Sequence, residues 1–224
     1  MRASDLLVRC LENEGVQFIF GVPGEENLDV MDSLLGSSIR FITTRHEQGA
    51  AFMADVYGRL SGKAGVCLST LGPGATNLIT GVADANLDHA PLVAISGQVS
   101  LDRKYIESHQ YIDLLALFKP ITKWNSEILL PQMIPEAIRK AFKVSQTEKP
   151  GAIHLVLPED VAAKQFPEED VFRPLVVQAP FIPEPTAGQV KRAIAVLQEA
   201  KRPIILAGNG VVRGHAEEAI RRCA

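Results

Sequence analysis

The sequence predicts an α/β fold, a six-stranded parallel sheet with helices on both faces, followed by the start of a second α/β domain. Short apolar, β-branched runs alternate with longer helical patterns from residue 4 to about residue 160, the pattern of βαβ units. Glycine-rich turns stand directly after several of those runs, where a strand hands over to a helix. After Pro158 the composition shifts to VFRPLVVQAPFIPEPT, with four prolines and no helical period, which reads as an extended linker.

Taken in order, DLLVRCLENEG is a helix with Ser4 as its expected N-cap and Gly15 as its stop. Strands are expected at residues 16–22, 39–44, 65–70, 92–97, 121–128 and 152–157. Pro135 opens a helix over PEAIRKAFKVSQ, with lysine and proline after it. The expected organisation is a first domain over 1–165, a linker over 166–186 and the start of a central α/β domain over 187–224. There, residues 187–200 read as an amphipathic helix, RPIILAGNGVV as a buried strand with a glycine turn, and HAEEAIRRCA as another helix. One such β unit cannot bury its sheet, so the chain is expected to be a piece of a longer polypeptide.

At 224 residues, 46% hydrophobic and 22% charged, the chain can bury a sizeable core. Its net charge of -3 and scattered basic residues give no footprint for nucleic acid or an acidic membrane. Cys10, Cys67 and Cys223 fit neither a metal spacing nor a disulfide framework, which suggests a reducing compartment. No apolar run reaches membrane-spanning length and the N-terminus carries acids where a secretory signal would not, so a cytoplasmic location is expected.

Three features follow successive strands: GVPG at 21–24, RHEQGAAFMADVYGRL from Arg45, and LGPGATN at 71–77. In an open parallel sheet the carboxyl ends of the strands form the ligand crevice, so the three converge on one place. Glu47 falls in the first turn of a helix, where the dipole favours any carboxylate by roughly 0.3 to 1 kcal/mol. A plain charge at a helix start is therefore one reading. The other is chemical: GAAFMA follows with small and apolar residues, surroundings in which a carboxylic acid can hold and share a proton. The two proline-glycine loops are rigid turns with exposed main chain, or simply tight β-to-α connections. Neither they nor AGNGVVRG match a dinucleotide or Walker fingerprint. The five histidines lack metal-site pairing, so no metal ligand is expected in this chain.

FGVPG, the stretch RHEQGAAFMADVYGRLSGKAGVCLSTLGPGATNLITGVADA, and PLVAISGQV, in this order and spacing, resemble the pyrimidine-binding (Pyr) domain of thiamine-diphosphate (ThDP) enzymes of the pyruvate oxidase and acetolactate synthase type. The resemblance covers almost the whole chain. It implies the N-terminal part of an acetolactate synthase catalytic subunit, which condenses two pyruvates to 2-acetolactate and CO2 through a ThDP ylide. It assigns Glu47 to a hydrogen bond with the pyrimidine N1′, where sharing a proton favours the imino tautomer that deprotonates the thiazolium C2. It places Pro23 and Gly24 beside the pyrimidine and Pro73 and Asn77 across the loop. Gln110, with His109, is the implied contact to the reacting intermediate, with Gln48 and Phe118 as further lining residues; a surface glutamine and a core phenylalanine are the alternatives there.

The segment HQYIDLLALFKPITKWNSEI is most similar to catabolic synthases, and RPIILAGNGVV to the anabolic and broader pattern. Subtype and FAD therefore stay open. GVPGEEN departs from the usual GxPGG or GxPGA by placing Glu25 after the glycine. The family's G-D-G and downstream asparagine, which anchor Mg2+ and the diphosphate, do not occur in these residues. The chain alone is thus expected to be inactive, with Mg2+ held by another domain and the site shared between subunits of a homodimer or tetramer. Other 2-keto acid decarboxylases or carboligases (benzoylformate, oxalyl-CoA or glyoxylate types), a stand-alone Pyr subunit, or a noncatalytic module remain alternatives.

Overall fold

The structure, a computed structural model, describes residues 1–167, 173–179 and 183–224. The chain divides into two compact units, Met1–Phe181 and Ile182–Ala224. In the first, α1 (Ala3–Asn13) leads into β1 (Phe18–Gly21), α2 (Leu28–Leu34) into β2 (Arg40–Thr43), α3 (Glu47–Ser61) into β3 (Gly65–Ser69) and α4 (Gly72–Leu87) into β4 (Leu92–Gln98). Then α5 (Leu114–Phe118) precedes β5 (Trp124–Glu127), α6 (Ile134–Gln146) precedes β6 (Ala152–Pro158), and α7 (Glu159–Ala163) follows. The six strands form one sheet in the order β2-β1-β3-β4-β6-β5, and every pairing is parallel. All six strands lie where the apolar runs predict them. Four are shorter than expected, β1 and β5 by the most. Val16 donates its N–H to Leu11 O at the end of α1 rather than to the sheet, and Lys119–Ile121 form a helical turn before β5.

Helices cover both faces. One core layer joins Leu6, Leu7 and Leu11 of α1, Val30 and Leu34 of α2, and Ile138 and Phe142 of α6. The other joins Ala50, Ala51 and Ala54 of α3, Leu78 and Val82 of α4, and Leu114 and Phe118 of α5. All seven residues of β4 and of β6 are buried, as parallel strands covered on both sides require. The two helices nearest the sheet's carboxyl-end crevice are tied at their far ends. The Arg59 guanidinium bonds Asp55 at 2.9 Å, Asp84 at 2.8 Å and Asp88 at 2.7 Å, linking α3 to α4. Burial raises the Asp55 carboxyl above its ordinary range, against the pull of Arg59.

Ser4 is not the N-cap. The helix starts two residues earlier, because the Arg2 N–H donates to Asp5 Oδ2 at 2.8 Å and so satisfies the cap position. Ser4 instead lies buried within α1 and accepts from Ser33 Oγ at 2.9 Å. Gly15 ends α1 with φ of 78°, a left-handed conformation that glycine adopts without strain. Pro135 sits in the first turn of α6, where its missing N–H costs nothing.

The second unit contains α8 (Ala187–Glu199), α9 (Gly210–Arg213) and α10 (Glu217–Cys223). Thr186 caps α8 reciprocally with Gln189. The strand expected in RPIILAGNGVV is absent: residues 203–208 form neither helix nor strand, and Ile204 and Leu206 are 94% and 97% exposed. A strand needs a neighbour to receive its backbone groups, and among the described residues this unit has no other strand. Of the linker stretch, residues 166–167, 173–179 and 183–186 carry no helix or strand, and 168–172 and 180–182 lie outside the described residues. No helix among the described residues is long and apolar enough to cross a membrane.

The sheet buries one polar chain. His154 Nε2 meets Ser96 Oγ at 3.0 Å, Ser96 Oγ meets Ser69 Oγ at 3.1 Å, and the imidazole stacks on Phe118 with centroids 3.7 Å apart. Burial lowers the His154 pKa from 6.5 to about 3. The unfolded imidazole therefore takes up a proton as pH falls below about 6.5 while the folded one stays neutral. Its contribution to stability is complete above that pH and is lost on acidification towards pH 3, at a slope approaching about 1.4 kcal/mol per pH unit. In denaturant unfolding between pH 7 and pH 4, His154→Gln is expected to lose stability less steeply on acidification than the parent chain. Parallel profiles would contradict this.

Candidate functional site

The site lies at the carboxyl ends of β1, β2, β3 and β4. At the end of β2 the chain turns into α3, and Thr44 fastens that turn by donating its N–H to Gly21 O at 2.9 Å and its hydroxyl to His46 O at 3.0 Å. His46 caps α3, its Nδ1 accepting from Gln48 N–H at 3.1 Å. Glu47, the first residue of α3, is thereby turned inward and is only 9% exposed. Asn77, in the second turn of α4, donates from Nδ2 to Glu47 Oε2 at 2.9 Å. Among the described residues, Oε1 has no hydrogen-bond partner. Two helix N-termini thus face one carboxyl group, which their dipoles favour.

The glycines around it are required by contact. A side-chain carbon built on Gly74 would stand 2.8 Å from Thr70 Cγ2 and 3.4 Å from Glu47 Oε1, and one built on Gly24 would stand 2.5 Å from Thr70 Cβ. Thr70, just beyond β3, therefore fills the space between the two proline-glycine turns. Its hydroxyl donates to Glu26 Oε2 at 2.5 Å. Asn27 Oδ1 accepts from Gly24 N–H at 3.0 Å, and its buried Nδ2 has no partner among the described residues. Pro23 and Pro73 are exposed on the rims of their turns.

Gln110 comes to the same place from a distant segment. Its backbone is left-handed, with φ of 57°, and its carbonyl oxygen would collide with any side chain on Gly72, which also has positive φ. Both His109 and Gln110 are exposed. Gln48 is half-buried beside the cap of α3. Phe118 is placed apart from them: fully buried and stacked on His154, it takes the core position that the sequence left open. Glu25, the departure visible in GVPGEEN, is exposed, and its neighbour Glu26 is the acid that turns in towards Thr70. Thr70 and Glu26 escape sequence reading because their pairing spans 44 residues. The available signal is a polar residue at the end of an apolar strand, immediately before LGPG.

Residues 1–117 match the family described as thiamine pyrophosphate enzyme, N-terminal TPP binding domain. The chain belongs to this family. Over its full length it is 44% identical to a protein of Methanocaldococcus jannaschii named "Probable acetolactate synthase large subunit", covering 38% of that protein. It is 38% identical over its full length to the acetolactate synthase large subunit of Corynebacterium glutamicum, covering 36% of it. Over 99% of its length it is 39% identical to "Acetolactate synthase, catabolic" of Raoultella terrigena, again covering 39%. The chain thus spans less than two fifths of the length of these relatives.

The residues present suit a thiamine ring system. The open Oε1 of Glu47 can meet a ring nitrogen, and the bare Gly24 and Gly74 let Thr70 pack between the two turns without pushing that carboxyl group aside. Replacing Gly74 by alanine should therefore weaken ThDP binding about tenfold or more, as a methyl group pressed against Thr70 and Glu47 displaces both. Titration of the complete protein with ThDP, followed by intrinsic fluorescence or calorimetry, checks this; unchanged affinity would remove Gly74 from the site.

Proposed function

We propose that this chain is the pyrimidine-binding part of an acetolactate synthase, and that Glu47 is its proton-sharing acid. The supporting observation is the state of that carboxyl group: inward, one oxygen tied by Asn77, the other open beside Gly74. When bound, ThDP supplies an acidic thiazolium carbon and an electron sink for decarboxylation. Glu47 holds the proton shared with the pyrimidine N1′, and Asn77 fixes the carboxyl plane so that this bond is made at one atom. Pro23 and Gly24 on one side and Pro73 on the other flank the ring without filling its place. Gln110, with His109 beside it, meets the keto acid, as a neutral donor able to bond a carbonyl or carboxylate oxygen.

The substrate under this reading is pyruvate, in both donor and acceptor roles, as the names of the relatives suggest. Mg2+ and the diphosphate fall to residues outside this chain, because the residues here supply no anchoring motif for them. The complete protein is a cytoplasmic homo-oligomer with a site shared between subunits. Met53 and Val56, 41% and 49% exposed on α3, offer an apolar face for that association.

In the complete protein loaded with ThDP and Mg2+, Glu47→Gln should slow proton-deuterium exchange at the cofactor C2 by about a hundredfold or more, because the amide cannot share a proton with N1′. Exchange at the parent rate would reject the role given to Glu47. Formation of 2-acetolactate from pyruvate alone, measured on the parent protein, tests the substrate.

A further inference from the structure

β4 ends in a glutamine where the rest of the strand is apolar or small. Gln98 is 2% exposed, and a buried carboxamide is costly unless both its ends are paired. Both are. Its Oε1 accepts from the Val99 N–H at 3.1 Å, which holds the amide against the end of its own strand. Its Nε2 donates to Ile112 O at 3.0 Å. The amide is thus a strut between the carboxyl end of β4 and a segment two residues beyond Gln110.

That segment has few other fastenings. Residues 104–113 contain no helix or strand. Lys104 pairs with Glu127 of β5 at one end, and Asp113 caps α5 at the other. Between them, Tyr111 rests on Tyr105 with ring centroids 6.0 Å apart, and the Gln110 carbonyl is pressed onto Gly72. The left-handed backbone at Gln110 is uncommon for a residue with a side chain and persists only where its surroundings hold it. The Tyr111 N–H bonds only within the segment, to Ser108 O at 3.4 Å, so on the α5 side the Gln98 bond is the polar tie nearest to Gln110 in sequence that comes from outside the segment.

We propose that Gln98 is a positioning residue for the keto acid: through Ile112 it sets where Gln110 stands over the Gly72 turn, and so how the substrate is held beside the cofactor. This rests on the reading that Gln110 meets the keto acid. Gln98 itself is buried and touches no substrate.

The test is a double-mutant cycle in the complete protein. Gln98→Met keeps the side chain's volume and removes both hydrogen bonds. Gln98→Asn is one methylene too short to reach Ile112 and serves where the methionine variant fails to fold. Each should lower kcat/KM for pyruvate about tenfold to a hundredfold, as expected when a contacting group is displaced by an ångström or so. Cofactor C2 exchange, which depends on Glu47, should stay within about twofold of the parent. Backbone amides at 109–112 should exchange with deuterated water faster in the variants, with β4 unchanged.

In a Gln110→Ala background, the Gln98 substitutions should have little further effect on kcat/KM, because both changes disable one contact. If Gln110→Ala is itself damaging and Gln98→Met multiplies that damage in full, the proposal is wrong while the reading of Gln110 stands. Where Gln110→Ala leaves kcat/KM unchanged, the substrate role of Gln110 fails and the positioning role of Gln98 falls with it. A loss of C2 exchange equal to the loss of kcat/KM would likewise overturn the proposal, since Gln98 would then be supporting the whole site.

Discussion

A hydrogen bond of 2.9 Å between Asn77 and Glu47 joins the opening turns of two helices, and the site is arranged around that junction. Each helix follows a different strand, so the bond can form only if β2 and β3 end at the right height and β1 lies between them. The sheet order supplies this. A carboxyl group left this far from water needs its donors fixed, or it would swing out to solvent. Thr44, the His46 cap and Asn77 do the fixing. Thr70 then sets the spacing of the two proline-glycine turns that frame the carboxyl group.

The core serves the junction by being thin where the chains cross. α3 meets the sheet and α4 through Ala50, Ala51 and Ala54, small residues that let backbones approach closely. On the opposite face, leucines of α1 and the aromatic ring of Phe142 in α6 cover the same strands. The Arg59 network holds the two site helices together at their far ends, so their near ends are set by the sheet and by Glu47 rather than by sliding.

Much of this was legible in the residues, and the exceptions have physical reasons. Strand positions follow from apolar runs between glycine and proline signals, and the meeting of Glu47 with the two proline-glycine loops follows from the geometry of any open parallel sheet. The apolar runs overstate β1 and β5 because local composition does not show where α1 borrows Val16 or where Lys119–Ile121 coil. Ser4 is the residue type that caps, whereas the bond that opens the helix runs from the Arg2 N–H to the Asp5 carboxylate, a less obvious signal. Phe118 was ambiguous because an apolar residue on a short helix reads alike whether it faces a cleft or a core. RPIILAGNGVV has strand composition without a strand partner, and composition cannot see partners. Thr70, Glu26 and Gln98 were missed for one shared reason: each is defined by a contact far away in sequence.

The strand order has a consequence for the time at which the crevice comes into being. β1 pairs with β2 on one side and β3 on the other, and β4 pairs with β3 and with the much later β6. Early in folding, helices and the β1/β2 pair can form from neighbouring residues, but Gly24, Glu47, Thr70 and Gln110 cannot meet until the long-range registers are in place. A collapsed chain with nearly full helix content would therefore lack any recognition of a thiamine ring. Ligand recognition in this fold is a late marker of native order, and a more discriminating one than helical signal.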